Sequence, residues 1–170
     1  METFVLPGFS LKNKEWAEEV KAKLPPNLNP QVIYWKHWQT ENNNDFNQED
    51  EAKKIVELVE QDQLTIIAKS IGTYITSLVI PQLFDQIEKL ILCGIPLNDM
   101  KPEEQNRMMI NLRVVNSTRL LCIQNSHDPH GTYDDVKKFL ESVNPQITLM
   151  QKDRSDHEYP YFEEFQSFLT

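Results

Sequence analysis

The run Leu64-Thr65-Ile66-Ile67-Ala68-Lys69-Ser70-Ile71-Gly72 decides how the rest of the chain is read. Leu64, Ile66 and Ile67 are apolar, and the β-branched residues suit a buried strand. A helix-competent stretch, Thr73 to Val79, follows at once. Between them stands a serine with a small residue two places away on each side, Ala68 and Gly72. Strand, small-x-Ser-x-small, helix is the arrangement of a nucleophile elbow. There the two backbones nearly touch and the serine stands at the tip of a sharp turn. The N–H at the helix start can then face a developing oxyanion. The same residues also fit a plain strand–helix turn with Ser70 as N-cap. The choice rests on whether the chain supplies an acid and a histidine in matching places.

The 170 residues suit one domain over 1–170, and 39% of them are apolar, enough for a core. A net charge of −9 argues against a nucleic-acid surface, which needs a basic patch. No apolar run is long enough to span a bilayer. The opening Met1-Glu2-Thr3-Phe4-Val5-Leu6-Pro7 reads as a first strand, not a signal peptide. Cys93 and Cys122 lie in apolar runs and read as buried free thiols, since no paired spacing suggests a disulfide or a metal. These features point to a soluble protein in the reducing cytoplasm, and no motif asks for a cofactor.

Outward from Ser70, strands alternate with helices. Residues 3–6 form a strand ending in Pro7-Gly8-Phe9-Ser10. A helix over about 14–23 places Trp16, Val20 and Leu24 on one face. Residues 31–38 read as the second strand, 40–48 as a polar loop, and the tail of that loop opens a helix reaching Glu60. After the Ser70 turn come a strand over 89–95, a helix over 102–114, a strand over 119–124, a helix over 133–143, a strand over 147–150 and a closing helix over 159–169. The strands are continuous apolar runs, the pattern of a parallel sheet covered on both faces. Right-handed crossovers then give a three-layer α/β/α sandwich.

The acid candidate is Asp128, in the loop after the fifth strand. The base candidate is His157, between the sixth strand and the last helix. Alone, each also reads as an ordinary loop residue: a turn aspartate before Pro129, and an exposed histidine near a cap at Asp156. Together, Ser70, Asp128 and His157 follow three strands of one parallel sheet, so their loops meet at its carboxyl edge, where such sheets bind ligands. Their chain order, Ser–Asp–His, matches the elbow.

On these residues the chain resembles the small α/β-hydrolase-fold serine hydrolases, over nearly its whole length. The resemblance implies six parallel strands ordered 2-1-3-4-5-6, a minimal form of the fold missing a pair of N-terminal strands. It implies Ser70, His157 and Asp128 as a triad. It also implies the backbone N–H groups of Phe9, after Pro7-Gly8, and Ile71 as oxyanion donors. The family's acid loop often reads Gly-x-x-Asp. Asn125 replaces that Gly here and would supply a left-handed turn. Ala68 replaces the first elbow Gly.

Between the fourth and fifth strands, residues 97–117 are largely consumed by the crossover helix, leaving little for a lid. A shallow, open site over a small acyl substrate or an exposed chain end is expected. Gly8, Ser10, Lys69 and Tyr74 are candidates for its border. Met100, Met108 and Met109 fit either a rim or core packing. Two other readings stand beside the triad. One is a non-catalytic binding protein on the same fold. The other is a metal-dependent hydrolase using His127, Asp128, His130, Asp156 and His157, although no metal-type spacing supports it.

Overall fold

The computed structural model describes residues 1–170. Its strands are β1 (Glu2–Leu6), β2 (Pro30–Val32), β3 (Leu64–Lys69), β4 (Ile87–Cys93), β5 (Leu120–Asn125) and β6 (Thr148–Lys152). They form one sheet, all parallel, in the order β2-β1-β3-β4-β5-β6. Successive side chains point to opposite faces. Ile66 therefore joins one core and Ile67 the other. The central strands β1, β3, β4 and β5 are covered on both faces, so apolar residues such as Ile66 and Ile67 stand next to one another without the polar alternation of a half-exposed strand.

Seven helices supply the covering: α1 (Asn13–Lys23), α2 (Lys36–Thr40), α3 (Gln48–Leu58), α4 (Ile71–Leu83), α5 (Pro102–Leu112), α6 (Tyr133–Val143) and α7 (Phe162–Leu169). Trp16, Ala17 and Val20 of α1, with Phe165 of α7, pack on Val5, Ile67, Ile91 and Ile123. Ile55, Leu78, Met108 and Leu140, from α3 to α6, cover the opposite face over Phe4, Ile66, Leu90 and Cys122. No helix is long and apolar enough to cross a membrane.

Helix α4 follows Ser70 and lies between α3 and α5, buried along nearly its whole length. Pro81 in its last turns has no N–H, which frees the Ser77 carbonyl four residues earlier. Asn111 Nδ2 of α5 donates to that carbonyl at 2.9 Å, so the loss is made good between helices. The first turn of α4 presses on the end of β1. A Cβ on Gly72 would stand 2.5 Å from the Leu6 carbonyl oxygen. The elbow therefore needs glycine on its helical side. On the strand side the Ala68 methyl fits: the residue is fully buried in the larger core.

Two expectations are corrected. The second strand stops at Val32, because β1 ends at Leu6 and Pro7 offers no donor; the last rung is Ile33 N–H to Val5 O at 3.0 Å. Residues beyond it turn into α2. Asn125 is no left-handed turn. It is the last residue of β5, and the positive-φ residues are Asn29, Glu41, Ser70 and Gly94.

Gly72→Ala should lower stability by about 2 kcal/mol or more, since the obstacle is backbone that cannot step aside. Urea denaturation reads this directly, and an unchanged midpoint would mean that the α4–β1 approach is not tight.

Candidate active site

Ser70 leaves the sheet at φ 56° and ψ −125°, and its side chain makes no cap hydrogen bond to α4. That removes the N-cap reading. Positive φ is rare for a residue with a Cβ and strains the backbone. The strain is held from both sides. Ser70 N–H donates to Cys93 O at 2.9 Å, and Thr73 Oγ1 donates to Ser70 O at 2.7 Å. The Ile71 N–H, first in the helix, has no intrahelical acceptor.

Asp128 is fully buried in the loop after β5. Its Oδ2 accepts from His157 Nδ1 at 2.7 Å and from the Tyr159 hydroxyl at 2.5 Å, while Oδ1 accepts from His130 N–H at 2.8 Å. Burial opposes its ionisation. The hydrogen bonds from His157, Tyr159 and His130 outweigh that and hold the carboxyl below its ordinary pKa. Burial, reinforced by donation to the Asp128 carboxylate, keeps the Tyr159 hydroxyl protonated far above its ordinary pKa. His157 Nε2 is buried and has no hydrogen-bond partner.

The loops carrying these groups are tied together. The Asn125 Nδ2 donates to the carbonyls of Asp156 and Glu158, both at 2.9 Å, bracing the histidine loop. Trp16 Nε1 of α1 holds the Tyr159 carbonyl at 2.8 Å. Asn98, after β4, donates from its backbone to His130 O at 2.9 Å and from its side chain to Pro129 O at 3.1 Å. Gly94 has φ +62°, and a Cβ there would lie 2.5 Å from the Tyr159 ring and 3.1 Å from His157 Cε1. It follows Cys93, the acceptor for Ser70 N–H, so the serine turn and the imidazole flank the same end of β4.

The structure thus joins Asp128 to His157 directly. Ser70 reaches them through the end of β4, and its Oγ bonds to no protein group. Phe9 lies in the β1–α1 loop with its N–H donating to no protein acceptor. The candidates for the site border differ in placement. Ser10 is exposed, Gly8 is buried, and Tyr74 is buried in the core between α4 and its neighbours. Lys69 points to the α1 face, with Nζ 3.1 Å from Glu158 Oε2 and 5.7 Å from the Trp16 ring. Met108 is a core residue. The Asp128 side chain is closed off from solvent, while 18% of the His157 side chain beside it stays exposed. No group of three or more His, Cys, Asp or Glu side chains is arranged to hold a metal ion.

Sequence reasoning passed over Tyr159 and Gly94. The first stands just outside α7, two residues after His157. A glycine closing an apolar strand, as in Leu92-Cys93-Gly94, was the available signal for the second.

No protein-family model matches the chain, and no curated protein matches it by sequence. Solved structures do. A lidless α/β serine hydrolase from Xanthomonas campestris aligns with a TM-score of 0.62 at 17% identity, covering 99% of this chain and 78% of that one. An esterase from a marine microorganism aligns with a TM-score of 0.63 at 13% identity, over 98% and 94% of the two chains. The thioesterase domain from the curacin biosynthetic pathway aligns with a TM-score of 0.64 at 10% identity, over 99% and 90%. With strand order, crossovers and elbow in place, the chain has the α/β-hydrolase fold in a six-stranded form without a lid.

Proposed function

We propose that the protein is a serine hydrolase that cleaves ester, thioester or amide bonds of small or end-exposed acyl groups through an acyl-enzyme. The His157–Asp128 pair carries this reading. An ionised carboxylate only accepts hydrogen bonds, so Nδ1 holds the imidazole proton and Nε2 keeps its lone pair. That lone pair is buried without a partner, a costly arrangement unless the atom has a proton to receive.

Ser70 Oγ attacks the carbonyl carbon as His157 Nε2 takes its proton. Asp128 stabilises the imidazolium. The Ile71 and Phe9 N–H groups receive the oxyanion, and His157 returns the proton to the leaving group. Water then releases the acyl group by the same steps. The Ser70–His157 hydrogen bond forms with substrate in place, as catalytic hydrogen bonds often do. The strained Ser70 backbone and the free Phe9 N–H support the same roles. The esterase and thioesterase among the structural neighbours fit the reaction class. A purely binding role would leave both the strain at Ser70 and the bare Nε2 without a purpose. The buried free thiols Cys93 and Cys122 suit a reducing, cytoplasmic setting.

A fluorophosphonate probe should label the wild-type protein and not Ser70→Ala. Hydrolysis of p-nitrophenyl esters should fall by several orders of magnitude in Ser70→Ala and comparably in His157→Ala. Activity retained in Ser70→Ala would sink the proposal. Short-chain esters should be preferred across a graded series, and EDTA should leave the rate unchanged.

Asp128 also predicts a pH effect on stability. Its folded pKa lies below the unfolded value of about 3.9. Its stabilising contribution is therefore present above that value and lost as pH falls through the folded one. Asp128→Asn removes the contribution, so between about pH 5 and pH 2 the variant's melting temperature should fall less steeply than that of wild type. Parallel slopes in thermal melts would show that the Asp128 network does not depress the carboxyl.

A further inference from the structure

The Phe9 N–H belongs to a loop with no ladder to orient it, yet every carbonyl of residues 8–10 is taken. Gly8 O accepts from the buried Trp35 Nε1 at 3.0 Å. Phe9 O accepts from His37 Nε2 and Trp38 Nε1, both at 2.8 Å. Ser10 O accepts from Asn13 N–H at 2.9 Å and Asn13 Nδ2 at 3.0 Å. By contrast, the N–H groups of Phe9 and Ser10 donate to no protein acceptor.

Peptide geometry links the two facts. The bonds are trans, so each C=O points opposite to the N–H of the next residue. Trp35 draws the Gly8 carbonyl toward itself and thereby turns the Phe9 N–H the other way. His37 and Trp38 fix the following peptide plane in the same manner. With the planes on both sides of Phe9 held, its φ and ψ are both determined.

The donors are themselves held. A carbonyl can only accept, so His37 carries its proton on Nε2, and its Nδ1 is buried and bare. The His37 ring stacks on Phe9 with centroids 4.4 Å apart and meets Phe46 edge-on at 4.9 Å. Trp35 precedes α2, whose first N–H, on Lys36, donates to the buried Glu51 Oε1 of α3 at 2.6 Å.

We propose that Trp35, His37 and Trp38 are a clamp that positions the Phe9 N–H as an oxyanion donor. The clamp rests on the serine-hydrolase reading and names the positioning residues of that same site. None of the three acts on substrate directly.

The test compares wild type, Trp35→Phe and Trp38→Phe. Active sites are counted by fluorophosphonate labelling, p-nitrophenyl acetate gives kcat and KM, and a trifluoromethyl ketone serves as a tetrahedral-adduct inhibitor. Trp35→Phe keeps the aromatic bulk and loses the only donor to Gly8 O. Per labelled site, kcat should fall about 10- to 100-fold, with KM changed less than about twofold. Affinity for the ketone should fall by the same factor as kcat, since its adduct needs the oxyanion hole and the planar ester does not. A residue that merely supports the fold would lower the number of labelled sites and leave kcat per site unchanged; that result overturns the clamp. If Trp35→Phe does not fold, the less buried Trp38→Phe decides. A kcat drop of about threefold or more with constant KM supports the clamp, and an unchanged kcat overturns it. A wild type that neither labels nor hydrolyses overturns the hydrolase reading and the clamp with it. An active wild type with indifferent variants overturns the clamp alone.

Discussion

The backbone of Ser70, at φ 56° and ψ −125°, is the constraint on which the rest of the carboxyl edge depends. Such a conformation costs a non-glycine residue about 1–3 kcal/mol and persists only where its surroundings leave no alternative. Here they leave none. β3 is paired on both sides, by β1 and β4, up to the residues just before the serine. Beyond it, α4 is buried between two helices and is pressed at Gly72 against the Leu6 carbonyl. Strand and helix fix both ends of the turn, and the packing of two cores offsets the strain between them.

The Asp128–His157 pair meets a different constraint. A buried carboxylate is costly unless it is hydrogen-bonded, and Asp128 has donors from His157, Tyr159 and the His130 backbone. These donors come from loops after β5 and β6. Asn98 adds the loop after β4, and Lys69 ties β3 to Glu158 beside the histidine. Four strand ends therefore act as one hydrogen-bonded unit. No lid domain interrupts these loops, and their own hydrogen bonds hold the arrangement.

The sheet was legible because burial on both faces writes apolar runs into the central strands β3, β4 and β5, and because the right-handed crossover rule leaves few topologies. Ser70, Asp128 and His157 could be singled out because each follows its own strand and the strand ends share one edge. The supporting network was not legible. Asn125 and Tyr159 act through distances across the fold, from β5 to the histidine loop and from that loop back to Asp128. Neither stands at a spacing that a linear pattern can detect. The boundaries of α7 and β6 shifted by a few residues for the ordinary reason that terminal turns and edge rungs depend on tertiary partners.

The segment after Val32 departs from its strand-like composition for a more instructive reason. Ile33, Tyr34 and Trp35 have the composition of a strand, and local propensity alone extends β2 through them. Propensity needs a partner edge, however, and β1 runs out at Leu6, where Pro7 begins the loop. The same residues then serve another purpose. Freed from the ladder, Trp35 turns its indole N–H to the Gly8 carbonyl, and α2 brings His37 and Trp38 to Phe9. The early end of β1 thus creates both the loop that needs orienting and the side chains that orient it. In a sheet whose second strand pairs over only Pro30–Val32, aromatic donors from outside the ladder take over work that backbone pairing would otherwise perform.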